Sequence, residues 1–147
     1  MTKILFICKS DRIAGKMAAA YLSHRLSELG KTEFETASAG VAVRHGDGIP
    51  QIAVDVLKEE GCTVQTISSN PLTLKEIQNA DLIVCLTGEL LKEVMGNYKS
   101  AKGKTVSLMG MVSDGRDIFE PRSTAEACRQ CLRMMKPALE RMAERLS

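Results

Sequence analysis

Apolar residues along the chain fall into two alternating kinds of run. "KILFIC" (Lys3–Cys8) is unbroken after its first residue, as in a strand buried on both faces. From Gly15 to Leu29 the apolar positions Met17, Ala18, Ala20, Tyr21, Leu22 and Leu26 follow a helical face instead, and Gly30 ends it. "FETAS" (Phe34–Ser38) predicts a short strand, with a loop from Ala39 to Ile49. Pro50 opens a helix that runs through Glu60 and stops at Gly61. "ADLIVCL" (Ala80–Leu86) is the clearest central strand; a helix is expected near Glu89–Tyr98, and "KTVSLM" (Lys104–Met109) reads as the last strand. A loop from Gly110 to Arg122 leads to a final helix, for which Ser123 and Glu126 make a capping box and which Pro137 should kink or split.

Strands alternating with helices imply a single doubly wound α/β domain over residues 1–147, a parallel sheet with helices on both faces. Ligands of such sheets bind beyond the carboxyl ends of the strands, and the first strand ends at Cys8. Cys8-Lys9-Ser10-Asp11-Arg12-Ile13-Ala14-Gly15 would then turn between a strand end and a helix N-terminus. Backbone N–H groups at such a turn converge on an anion, and the helix dipole favours negative charge there. That field should lower the Cys8 thiol below its free pKa of ~8.5. The plainer reading, a buried cysteine closing a strand, stands beside it. A Walker-type phosphate loop from Ser10 to Lys16 fits poorly, since Ser10 replaces its first glycine and Met17 its magnesium-binding hydroxyl.

Composition narrows the class. With 147 residues, 44% hydrophobic, 26% charged and a net charge of +2, the chain suits one soluble globular domain. That balance gives no argument for nucleic acid or membrane, and no apolar run approaches the ~18 residues that would span a bilayer. The N-terminus enters a strand without a secretory pattern, so a cytoplasmic location is expected. Five cysteines, an odd count, argue against a disulfide framework. Cys128 and Cys131 form a C-x-x-C, but they share a helical face with Leu132, Met135, Leu139 and Met142, which predicts core packing. No metal or cofactor is expected.

"ILFICKSDRIAGKMAAAYL" (Ile4–Leu22), "SAG" (Ser38–Gly40), "IPQIAVDVLKEEGCTV", "ADLIVCLTGE" and "DIFEP" (Asp117–Pro121) together resemble the low-molecular-weight protein tyrosine phosphatases and their arsenate reductase relatives. The resemblance covers nearly the whole chain and implies a four-stranded sheet in the order 2-1-3-4. It also implies a double displacement, in which a cysteine thiolate attacks phosphorus, a carboxylic acid protonates the leaving group, and water hydrolyses the phosphocysteine. By that resemblance Cys8 is the nucleophile and Glu120, before Pro121, stands at the general acid, one methylene longer than the family's aspartate. The loop arginine, whose planar fork binds two equatorial oxygens, falls on Ala14. The hydroxyl beside it falls on Gly15, the loop glycine on Ser10, and the bracing asparagine on Asp11.

Three consequences are expected. Phosphatase activity is lost or strongly reduced, while backbone amides of Lys9–Gly15 still bind an oxyanion weakly, or the former site binds a protein partner. Arg44, His45 and Arg122 would form a polar, basic rim in place of the family's aromatic walls. The alternatives are an active phosphomonoesterase in which Arg12 or Lys16 stands in for the arginine, an arsenate-reductase-like protein, and a pure interaction protein. Lys9 is a further nearby cation. Cys85 lies off the position of the reductases' extra cysteines and has no partner cysteine nearby in the sequence.

Overall fold

A computed structural model describes residues 1–112 and 116–147. Four strands, β1 (Thr2–Cys8), β2 (Phe34–Gly40), β3 (Leu82–Cys85) and β4 (Thr105–Ser107), form one parallel sheet in the order β2-β1-β3-β4. The helices are α1 (Ala14–Glu28), α2 (Gln51–Glu59), α3 (Leu74–Asn79), α4 (Gly88–Asn97) and α5 (Ala125–Arg145). The expected α/β architecture and strand order are those observed.

Strand periodicity divides the core between the two faces of the sheet. Ile4, Phe6 and Cys8 of β1 point into a cluster with α1, α2 and α5, whereas Leu5 and Ile7 point into a second cluster with α3 and α4. Complete burial of such side chains stabilises the fold by ~1.5–3 kcal/mol each. β1 is central and hydrogen-bonded on both edges, so its C-terminal end, where Cys8 sits, is placed by the whole sheet.

Several local expectations change. α3 lies between the elements that the apolar periodicity predicts, and "TLKE" carries its signal: the Thr73 hydroxyl accepts from Glu76 N–H and the Glu76 carboxylate accepts from Thr73 N–H. The last helix is capped by Thr124, which accepts from Ala127 N–H at 3.2 Å, and not by a box at Ser123 and Glu126; the helix begins one residue later than that box requires. Pro137 does not split α5, which is continuous from Ala125 to Arg145. Pro137 and Arg133, four residues earlier, are both exposed, so the carbonyl that loses its helical donor faces water. The last strand is only Thr105–Ser107 because the chain tightens into a 3-10 turn at Met109–Met111. Of the loop expected over Gly110–Arg122, residues 113–115 lie outside the described residues.

Candidate active site

The Cys8–Gly15 loop turns sharply over the end of β2. Gly40 allows this: a Cβ there would lie 2.8 Å from Lys9 O and 2.9 Å from Asp11 N. Asp11 has φ 53°, the one non-glycine residue at positive φ among the described residues. Its conformation is fixed from behind. The Ser69 hydroxyl donates to Asp11 O at 2.7 Å, and Asn70 N–H donates to Asp11 Oδ2 at 2.8 Å. Lys16 Nζ lies 3.2 Å from the same oxygen and donates to Thr66 Oγ1 at 2.9 Å. Asp11 is 0% and Lys16 2% exposed, so the two make a buried ion pair. Asp11 therefore braces the loop at the position where the family resemblance puts an asparagine, and Lys16 balances the added charge.

Glu120 approaches from the opposite side. The segment that carries it is pinned beside β3 by Ile118 N–H, which donates to Leu86 O at 2.9 Å. Asp117 Oδ1 accepts from Gly88 N–H at 2.8 Å, so this neighbouring carboxylate serves the start of α4. Glu120 Oε1 accepts from Ala14 N–H at 2.8 Å; its Oε2 accepts from Ile13 N–H at 2.9 Å and from the Ser10 hydroxyl at 3.1 Å. Ile13 and Ala14 open α1, where the first amides have no partner within the helix and the dipole is positive. The protein's own carboxylate thus occupies the anion cradle that the sequence predicts. The methylene that distinguishes glutamate from aspartate gives it the reach.

Cys8 differs most from expectation. Its thiol is not lowered but pushed up to about 12, first by burial, then by the charges of Asp11 and Glu120. Backbone N–H groups of Asp11 and Gly15 pull in the other direction without prevailing. Helix-end potential acts, as the sequence suggests, but two carboxylates and a dry environment outweigh it. Cys8 Sγ lies 2.8 Å from where a Cβ on Gly15 would stand, so the thiol fills the space a serine there would claim.

No expected substitute cation is aimed at the cradle by its bonds. Arg12 Nε donates to Gly48 O at 3.3 Å, and Lys16 is engaged by Asp11 and Thr66. Ala14 and Ile13 are buried and supply only backbone donors. Beside Cys8 opens a cleft of about 270 Å³, whose walls include Lys9, Val41, Glu89, Glu93 and Phe119. Its rim is acidic and not basic. Arg44, His45 and Arg122 are exposed but do not line it; Arg44 N–H donates to Asp47 Oδ2 at 3.0 Å, which closes a turn away from the cleft. An aromatic wall is present after all: Phe119, 71% exposed, precedes Glu120, whereas the resemblance directs attention to the residue after Pro121.

Fold and loop together define the architecture of the cysteine-dependent, low-molecular-weight phosphatases. The chain belongs to the low molecular weight phosphotyrosine protein phosphatase family, whose model it matches over residues 3–147. Among solved structures it is similar to the YwlE arginine phosphatase from Geobacillus stearothermophilus, at 29% identity and TM-score 0.82, covering 98% of this chain and 92% of that one. It is similar also to Vibrio vulnificus Wzb in complex with benzylphosphonate, at 25% identity and TM-score 0.85, covering 99% of each chain. The low molecular weight protein tyrosine phosphatase from T. tengcongensis shares the fold at 22% identity and TM-score 0.90, covering 99% of this chain and 100% of that one. No curated protein is a significant match.

Proposed function

We propose that this family member has lost or strongly reduced phosphatase activity and keeps the former active site to bind an oxyanion. The observation that carries the reading is the seat of Glu120 on the amides of Ile13 and Ala14. With both oxygens accepting hydrogen bonds there, the carboxyl is turned into the cradle and not toward a leaving group. The nucleophile is weakened as well: burial and the nearby carboxylates push the Cys8 thiol up to about 12, which disfavours the thiolate at neutral pH. Ala14 offers no guanidinium fork, a group that in phosphoryl transfer can contribute ~10³–10⁵ in rate. Arg12 and Lys16 are held by other partners, which disfavours the active phosphomonoesterase. Cys85 belongs to the core cluster on the opposite face of the sheet from Cys8, which disfavours the reductase reading.

Turnover of p-nitrophenyl phosphate by the intact protein tests this. The expected result is a rate indistinguishable from that of Cys8→Ser, or small and abolished by it. A Cys8-dependent rate at the level of active phosphatases, with kcat in the ordinary enzymatic range of ~1–10³ s⁻¹, would overturn the proposal.

A further inference from the structure

The reading of the site as an oxyanion receptor raises the question of how a ligand enters a cradle that is already filled. We propose that Glu120 is an exchangeable internal anion: a tetrahedral oxyanion binds the cradle by displacing the Glu120 carboxylate, and binding thereby releases the Phe119–Pro121 segment. The inference rests on the proposed function for its ligand and on the geometry of Glu120 for its mechanism.

Ile13 and Ala14 are buried, and their N–H groups have no helical acceptor. A buried donor left unpaired costs ~1–3 kcal/mol, so some acceptor has to sit there at all times. Glu120 fills that role with two oxygens spanning adjacent amides and the Ser10 hydroxyl. Phosphate can present two oxygens to the same amides and adds charge. The exchange therefore swaps one anion for another and strands no donor.

The tether is built for exchange. Ile118 is buried and its N–H holds Leu86 O, whereas Phe119 and Glu120 just beyond it are exposed. The Arg122 side chain is exposed, but its carbonyl is the next fixed point, accepting from Thr124 N–H at 2.8 Å and from the Cys128 thiol at 3.8 Å. Only the few residues between these anchors have to move for the carboxylate to leave. Asp11, by contrast, is locked behind the loop by Lys16, Ser69 and Asn70 and has no such freedom. A competitor tethered by a short link acts at a high effective concentration, which lowers the apparent affinity of any free anion. Because Phe119 walls the adjacent cleft, its displacement changes the surface a partner would meet.

The chain contains no tryptophan, so Phe119→Trp gives a single fluorescent reporter on the moving segment. Inorganic phosphate is titrated at constant ionic strength into Phe119→Trp and into the same chain carrying Glu120→Gln or Glu120→Asp. The amide resonances of Ile13 and Ala14 are followed by NMR in parallel. With Glu120 present, phosphate is expected to shift both amides and change the tryptophan signal together. In the Gln and Asp variants, half-saturation should fall at least tenfold, and the tryptophan signal without phosphate should already match the liganded state. Equal phosphate affinity with and without Glu120, amide shifts without a tryptophan change, or no binding by any variant would each overturn the inference. Glu120→Asp keeps the charge and serves if Glu120→Gln fails to fold. Failure of the proposed function shows separately, as Cys8-dependent turnover, and leaves this titration readable.

Discussion

Two carboxylates flank Cys8, and they are held in opposite ways. Asp11 is fully buried behind the loop, and its charge is met by Lys16 at 3.2 Å. Glu120 comes in from the exposed side and is met only by amides and a hydroxyl. A buried charge without a counter-charge is prohibitively costly, so Asp11 and Lys16 are bound to each other for the life of the fold. An exposed carboxylate can return to water at little cost, so Glu120 is the part that can exchange. Both raise the thiol of Cys8, but one acts as structure and the other as occupancy.

The sharpest way to break the first half of this comparison is Lys16→Met. Removing one partner of a buried pair leaves the other uncompensated and typically costs ~3–5 kcal/mol. Urea unfolding should show a loss of that size, and Asp11→Asn added to Lys16→Met should restore part of it. A loss below ~1 kcal/mol would mean that water reaches Asp11 and that the pair is not the brace described above. The corresponding substitution on the other side, Glu120→Gln, should cost no more than ~1–2 kcal/mol, since only the hydrogen bonds of an exposed group are weakened.

This contrast also marks what the sequence could reveal. The alternating elements, the helix layers and the position of the cradle follow from apolar periodicity and from one strand ending in cysteine, because burial fixes those features through many residues at once, while the strand order follows from the family resemblance. Cys8, Ala14 and Gly15 are in the places that local pattern and family resemblance assign. What escaped was non-local. Lys16 reads as a substitute cation until Asp11, five residues earlier, is seen to curl back at positive φ to meet it. Glu120 contacts Ile13 and Ala14 across more than a hundred residues, and no spacing rule reports that. Likewise, Arg44 and Arg122 suggest a basic rim by composition, while the wall of the cleft comes from Glu89 and Glu93 on α4. The direction of the Cys8 shift is set by burial first and then by the charges of Asp11 and Glu120, and the burial and the Glu120 contact are non-local.

The second half of the comparison is sharpened by trying to rebuild catalysis. Ala14→Arg alone should leave turnover of an aryl phosphate unchanged, because Glu120 still holds the cradle and would pair with the new guanidinium. Ala14→Arg with Glu120→Asp shortens the carboxyl so that it can no longer reach the amides, while leaving an acid near the leaving group. A gain of ~10²-fold over the starting chain is expected, about 2.7 kcal/mol of transition-state stabilisation. It must disappear in Cys8→Ser. Adding Gly15→Ser forces the thiol to move, since its Cβ would fall 2.8 Å from Cys8 Sγ. The serine hydroxyl can then stabilise a thiolate turned toward the cradle, so the triple change should exceed the double. Equal rates for Ala14→Arg with and without Glu120→Asp would show that Glu120 does not obstruct the site.

The smallest effect reads both carboxylates at once, through pH. The Cys8 thiol is pushed up to about 12 in the folded protein, well above its value in the unfolded chain. Above pH 9 the unfolded chain therefore releases this proton while the folded chain keeps it. The folded state then binds more protons than the unfolded state, and stability falls as pH rises, by up to ~1.4 kcal/mol per pH unit from this group. Below pH 9 the contribution is fully present and flat. Cys62, Cys85 and Cys131 are raised by burial too, so the total slope is steeper than one thiol can give. The Cys8 share is isolated as the difference in unfolding free energy between the native chain and Cys8→Ala, measured between pH 8 and pH 10.5. That difference should be constant below pH 9 and shrink above it. In Glu120→Gln one of the two raising charges is gone, so the shrinkage should become shallower. Burial is the largest cause and remains, so the slope should not vanish. A slope unchanged by Glu120→Gln would leave Asp11 and burial as the whole reason that Cys8 stays a thiol.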